Sequence, residues 1–292
     1  MTILVTGATG NVGSRVVREL TERGAAVRAF VRDHERAAAV LGHDVELAVG
    51  DFADRASLRR AVAGADRLFL ACSNVAGQVD YENGAIDIAK EAGVRRIVKL
   101  SASVAAVDSP LLFPRWHGTI ERHLLRSGVP AVLICPGFMM NTLLMSAEAV
   151  RQTGSLHAPA GRARIAMIHP ADVAAAAAVA LTEAGHDGAR YVLSGPRAIT
   201  YEDIADMLSD ATGRQIEFVD VPDDTARRGM LESGTPPAIA DFLVSLFRAL
   251  REGLDDKTSD TVRRLTGTDP RDFAEFAREH AAAFGAAERT LT

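Results

Sequence analysis

Cysteine, tyrosine and tryptophan are scarce in this chain: two Cys, three Tyr and one Trp among 292 residues. Cys72 and Cys135 lie far apart in apolar runs, with no CxxC and no His/Cys cluster, so no metal site is expected. Two reduced core thiols fit a cytoplasmic protein. Positive charge is not in excess either. Lys and Arg number 33 against 38 Asp and Glu, a net charge of −5, which removes any broad electrostatic basis for holding a polyanion. Nucleic acid is therefore not an expected partner, and Arg227-Arg228 and Arg263-Arg264 read as solvated helix faces. No apolar run approaches the roughly 18 residues of a membrane helix, so no membrane association is expected. The Ala174–Ala178 run is short and follows Asp172 closely. Strand-like sequence begins at Thr2, which leaves no room for a signal peptide.

What is present is an alternation of short apolar runs and helical patterns. Strands are expected at 3–5, 27–31, 45–49, 67–71, 96–100 and 131–135. Helices fall between them, from residue 12, then around 34–41, 54–64, 77–92 and 115–127. Six near-continuously apolar strands in this alternation predict an α/β, doubly wound parallel sheet covered on both faces. Its ligand crevice lies beyond the carboxyl ends of the strands. After Pro136 the pattern turns mostly helical, at about 141–152, 171–184, 201–212, 237–252 and 270–284. Strands are expected there at 164–168, 190–194 and 216–221. The division is a dinucleotide-binding domain over 1–140 and a smaller substrate lobe over 141–292, some of whose strands can return to the main sheet.

The first turn carries the strongest signal. Thr6-Gly7-Ala8-Thr9-Gly10-Asn11-Val12-Gly13 sets glycines at a 3-3 spacing between a strand and an amphipathic helix. That is the Rossmann dinucleotide fingerprint: a tight turn, a close backbone approach to pyrophosphate, and close helix–strand packing. Helix N-terminal amides then favour the phosphates. At the end of the second strand an acid binds a free ribose 2′-hydroxyl, whereas an arginine accommodates a 2′-phosphate. Arg32 and Asp33 stand side by side, with Arg36 one turn on. Arg32 directly follows the strand and favours NADP over NAD; Asp33 suits the N-cap of helix 34–41. Asp51 and Phe52 are placed to flank adenine, and Phe52 equally suits a core. Ala71, Cys72 and Ser73, ending the fourth strand, are expected beneath the cofactor ribose.

These residues resemble the atypical short-chain dehydrogenase/reductases, the NmrA-like group in particular. The opening ILVTGATGNVGSRVVREL, Gly50-Asp51, Leu100-Ser101-Ala102-Ser103, the run Leu125–Pro130 and Cys135–Asn141 carry the resemblance, as do Arg264–Gly267 and Phe273–Phe276. It implies a Rossmann domain carrying NADP or NAD and a C-terminal lobe shaping the substrate pocket. It also exposes a departure. Catalytic members of the wider superfamily use a tyrosine and, four residues later, a lysine; counted back from Ser127-Gly128, those positions hold Phe113 and His117. Phenylalanine cannot transfer a proton. None of Tyr81, Tyr191 and Tyr201 has a lysine four residues later.

The catalytic candidates that remain are His117, where the lysine would stand, and Ser101, at the end of the fifth strand. Ser103, Trp116, Met139 and His169 are candidates for the substrate pocket. Pro136 and Phe138 are expected beside the nicotinamide. Each has a plainer reading: a half-exposed helix histidine, a capping serine, a core tryptophan, a turn histidine. The leading expectation is an NADPH-dependent oxidoreductase that reduces a flat hydrophobic acceptor, a quinone, enone, azo compound or imine, without the usual pair. A non-catalytic NAD(P)-binding redox sensor acting through a protein partner is the alternative, and a non-redox biosynthetic enzyme on the same fold is a third. The resemblance admits a homodimer, although no stretch of sequence reports an interface.

Overall fold

In the computed structural model, which describes residues 1–286, nearly every expected strand of the first half forms. The chain runs β1 (Thr2–Val5), α1 (Asn11–Glu22), β2 (Ala26–Val31), α2 (His34–Leu41), β3 (Glu46–Val49) and α3 (Arg55–Val62). It continues with β4 (Arg67–Leu70), α4 (Gln78–Glu91), β5 (Arg96–Leu100), α5 (Leu112–Ser127) and β6 (Ala131–Pro136). A 3-10 turn (Met140–Ser146) leads to α6 (Ala147–Thr153), β7 (Ser155–Ala158), α7 (Pro170–Thr182) and β8 (Arg190–Leu193). Then come α8 (Tyr201–Thr212), β9 (Glu217–Asp220), α9 (Asp223–Glu232), α10 (Pro237–Arg251), α11 (Thr261–Thr266) and α12 (Phe273–Glu279).

Two compact units result. The first comprises 1–136, 170–193 and 261–268. It contains a seven-stranded, all-parallel sheet in the order β3-β2-β1-β4-β5-β6-β8. The order reverses between β1 and β4, which is where a doubly wound sheet opens its crevice. Ile3, Leu4, Val5, Phe69, Leu70, Ile97, Val98, Val132 and Ile134 are fully buried, as strands covered on both faces require. Helix α1 forms because Val12, Val16, Val17 and Leu20 recur on one face. It packs against α7, whose alanines allow close approach. Two strand-start arginines close α7's C-terminus: Arg96 donates to the carbonyls of Ala180 and Glu183, and Arg67 to that of Leu181. Cations are favoured at that end of a helix.

The expected division near residue 140 meets a chain that leaves the sheet after Pro136 and returns to it. Strand β8 pairs in parallel with β6, and 170–193 with 261–268 belong to the sheet unit. The second unit, 137–169, 194–260 and the described residues from 269 on, is built on a parallel β7–β9 pair and helices around Tyr201, Phe247, Phe273, Phe276 and Phe284. Segment 164–168 corrects the expected strand. Its backbone groups pair with several different segments: Ile165 with Ile199, Ala166 with Asp255, and Ile168 with Phe138. No single ladder forms. The helix expected over 270–284 stops at Glu279 and continues as turns. No described helix is long and apolar enough to cross a membrane.

Candidate functional site

The cleft of the first unit lies beyond the carboxyl ends of β1–β4 and has a volume of about 750 Å³. Gly7, Thr9 and Gly10 line it after β1, Arg32, Asp33 and Arg36 after β2, Asp51 and Phe52 after β3, and Cys72 and Ser73 after β4. Eight of the expected cofactor residues thus converge. Asn11, Val12, Gly13 and Ala71 stand just behind them. Gly7 adopts φ +61°, with the Ala71 carbonyl 2.9 Å from where a Cβ would sit. At Gly13 a Cβ would fall 2.1 Å from the Gly7 carbonyl oxygen, so glycine alone lets α1 approach the turn. Val12 is core, and Asn11 accepts from the Arg15 guanidinium. Helix α1 has no side-chain N-cap and no acid in its first turn, which leaves its N-terminal field open toward the cleft.

The acids and bases at the far end have separate tasks. The Asp33 carboxylate accepts from the backbone N–H of Arg36 and caps α2. Arg32 and Arg36 form no ion pair among the described residues. Asp51 folds onto its own loop, accepting from the N–H of Ala53. Phe52 stacks against Tyr81, centroids 6.4 Å apart, and meets Phe30 edge-on. Tyr81 also lines the cleft, a position that pattern reading along one strand could not supply because it lies on α4.

Behind Cys72 the structure holds a charged cluster. Lys99 on β5 and Glu82 on α4 are fully buried and ion-paired, and Gln78 donates to Glu82 at 2.9 Å. Lys99 Nζ lies 3.4 Å from His117 Nδ1. Burial first, and the Lys99 charge second, hold His117 well below the ordinary imidazole range. Burial and the Glu82 charge push the Cys72 thiol up to about 11. Ser101 donates to Glu121, which also pairs with Arg190 at 2.6 Å. Cys135 Sγ lies 3.9 Å from Glu121, and burial raises its thiol to about 12. Lys99, Glu82, Gln78, Glu121 and Arg190 escaped sequence reading. The available signal was a lysine inside an otherwise apolar buried strand, since lysine is almost never fully buried unless paired.

The remaining candidates divide between the units. In the first, Ser103 donates its backbone N–H to the Pro136 carbonyl, and half-buried Trp116 tilts against buried Phe113, centroids 5.3 Å apart. In the second, Phe138 packs in the core against Phe247, and its N–H donates to Asp255. Met139 is half-buried and bridges Ile168 through its backbone. His169, 1% exposed, sits edge-on to Phe276 with Nε2 3.2 Å from the Glu279 carboxylate. Tyr201 is also core, and Tyr191 bonds His186, so neither stands in for the absent catalytic tyrosine. Among the described residues no group of three or more His, Cys, Asp or Glu is placed to hold a metal ion.

Comparison with known proteins agrees with this architecture. The NAD(P)H azoreductase of Xenophilus azovorans is 38% identical over 285 residues, covering 98% of this chain and 100% of the relative. The (4-alkanoyl-5-oxo-2,5-dihydrofuran-3-yl)methyl phosphate reductase of Streptomyces griseus is 38% identical over 283 residues, 97% of this chain and 99% of the relative. The crystal structure of the NADPH-dependent quinone oxidoreductase of Escherichia coli complexed with NADPH superposes with a TM-score of 0.86 at 30% identity, covering 96% and 99% of the two chains. The NmrA-like family model matches residues 1–277, and the chain belongs to the NmrA-like family.

Proposed function

We propose that this chain is an NADPH-dependent reductase of a flat, hydrophobic acceptor such as a quinone, azo compound, imine or conjugated enone. The observation that carries the reading is the cleft of the first unit. It joins a glycine cradle that no Cβ can enter to two guanidiniums without carboxylate partners. Asp33 is committed to capping α2, so the cationic pair Arg32 and Arg36 meets the ribose edge, which suits a 2′-phosphate. Phe52 and Tyr81 offer their faces to adenine. The reductases among the relatives, one of them solved with NADPH, support the same cofactor and acceptor class.

Bound there, the cofactor supplies hydride, while the protein supplies orientation and an apolar surface. Ser101 stays tied to Glu121 and orders the end of β5. His117 is neutral and donates a hydrogen bond, and the balancing proton comes from water. Steady-state loss of NADPH absorbance against a panel of quinones, azo dyes and enones tests the reading, with turnover of at least one class expected. Tight NADPH binding with no turnover would overturn it in favour of the sensor, for which the replacement of the catalytic pair by Phe113 and His117 also speaks.

A further inference from the structure

The buried cluster behind Cys72 has a chemical consequence for His117. The Lys99 ammonium has three N–H donors, and the structure gives each an acceptor: the Glu82 carboxylate, the Leu100 carbonyl at 3.0 Å and His117 Nδ1 at 3.4 Å. Glu82 is ion-paired with that ammonium and is itself steadied by Gln78. An N–H on Nδ1 would point at another N–H. The ring must therefore present its Nδ1 lone pair to Lys99 and carry its proton on Nε2. Among the described residues Nε2 has no partner. Glu121, one turn further along α5, is already paired with Arg190 and bonded by Ser101, so it is not free to draw a second proton onto the ring.

We propose that Lys99 is a positioning residue which, held by Glu82 and Gln78, locks His117 as the neutral Nε2–H tautomer, a permanent hydrogen-bond donor for an oxygen of the bound ligand. The identity of that oxygen, on the cofactor ribose or on the acceptor, rests on the reductase reading; the lock does not. It differs from the arrangement of a tyrosine beside a lysine in what it excludes. A histidine held this way orients and polarises, and it transfers no proton.

Imidazole nitrogen NMR on the full-length ¹⁵N-labelled chain tests the lock directly. His117 is assigned by the signals missing from His117→Gln. From about pH 5.5 to 8.5, where an ordinary histidine changes charge, the expected pattern is an unprotonated Nδ1 and a protonated Nε2 that do not move. A titration within that range, or a proton on Nδ1, would overturn the proposal. So would titration of all eight histidines, with no assignment needed. In Lys99→Met the His117 signals are expected to shift as Nδ1 loses its donor, while Lys99→Arg, which keeps a cationic donor, restores the pattern. If Lys99→Met does not fold, Glu82→Gln reads the same contact by removing the carboxylate that holds Lys99 Nζ. An unchanged His117 in the variants would remove Lys99 from the role.

Two additions locate the oxygen. A shift of Nε2 on adding NADP⁺ alone assigns the cofactor ribose. A shift only when a quinone joins the NADP⁺ complex, which cannot reduce it, assigns the acceptor. No shift in either refutes the donor role. Absence of turnover with every acceptor, alongside an intact lock, would count against the reductase reading and leave the lock standing.

Discussion

The Asp33 carboxylate accepts the backbone N–H of Arg36 at 3.0 Å, so the one acid beside Arg32 is spent on starting α2. That contact turns an ambiguous Arg-Asp pair into a directional prediction. Arg32→Ala is expected to weaken NADPH binding roughly tenfold or more, on the order of 1.5–3 kcal/mol for hydrogen bonds to a charged group, and to leave NADH binding nearly unchanged. Titration calorimetry with both cofactors measures it. Equal losses would refute the phosphate assignment.

Gly13→Ala places a methyl 2.1 Å from the Gly7 carbonyl oxygen, with backbone rather than a flexible side chain in its way. Helix α1 must shift to admit it, at a cost of about 1–3 kcal/mol. A lower thermal midpoint is expected together with loss of cofactor affinity. Retention of wild-type NADPH affinity would show that the turn does not cradle the pyrophosphate.

The Lys99–Glu82 pair makes a stability prediction separate from its effect on His117. Removing one partner strands a buried charge, so Lys99→Met or Glu82→Leu alone should cost about 3–5 kcal/mol. The double substitution should cost clearly less than the sum. Urea unfolding of the four chains gives the coupling; simple additivity would mean that the pair is not electrostatically joined in solution.

His117 contributes to the acid side of the stability curve. Its folded pKa lies below the unfolded value of 6.5, because burial and Lys99 disfavour the imidazolium. A histidine of this kind contributes stability that is present above the unfolded pKa and lost as pH falls through the folded one. Stability should therefore decline below pH 6.5 in the wild type and decline less steeply in His117→Gln. Parallel slopes for the two proteins would contradict it.

The thiols contribute to the alkaline side. Cys72 and Cys135 are raised in the fold to about 11 and about 12 from an ordinary 9.0. Their contribution is complete below pH 9.0 and disappears as pH rises toward those values. Cys72→Ala should flatten that fall, and in the native protein Cys72 should alkylate far more slowly at neutral pH than an unfolded thiol does. Rapid alkylation of the folded chain would show an open, ionised Cys72.

Much of the first unit was legible because its physics is local. Apolar strands of four to six residues, helices with a buried stripe, and a glycine triplet between the first pair each announce themselves within a dozen residues. Strand β8 and α7 belong to the sheet unit although they follow a long excursion, and that pairing is non-local. Segment 164–168 has the composition of a strand, yet its backbone partners come from three separate places, which composition cannot register. Phe138, expected beside the nicotinamide, lies in the second unit's core, because apolar residues look alike in sequence whether they face a ligand or each other.

By itself the sequence determined that a parallel α/β sheet would form and where the dinucleotide turn would stand, since spacing and chain reversal suffice for both. Only the tertiary structure decided how the charges are spent. Glu121 pairs with Arg190, and Lys99 meets Glu82 and His117 from across the interior. Electrostatic partners act through space, between residues that the chain keeps far apart.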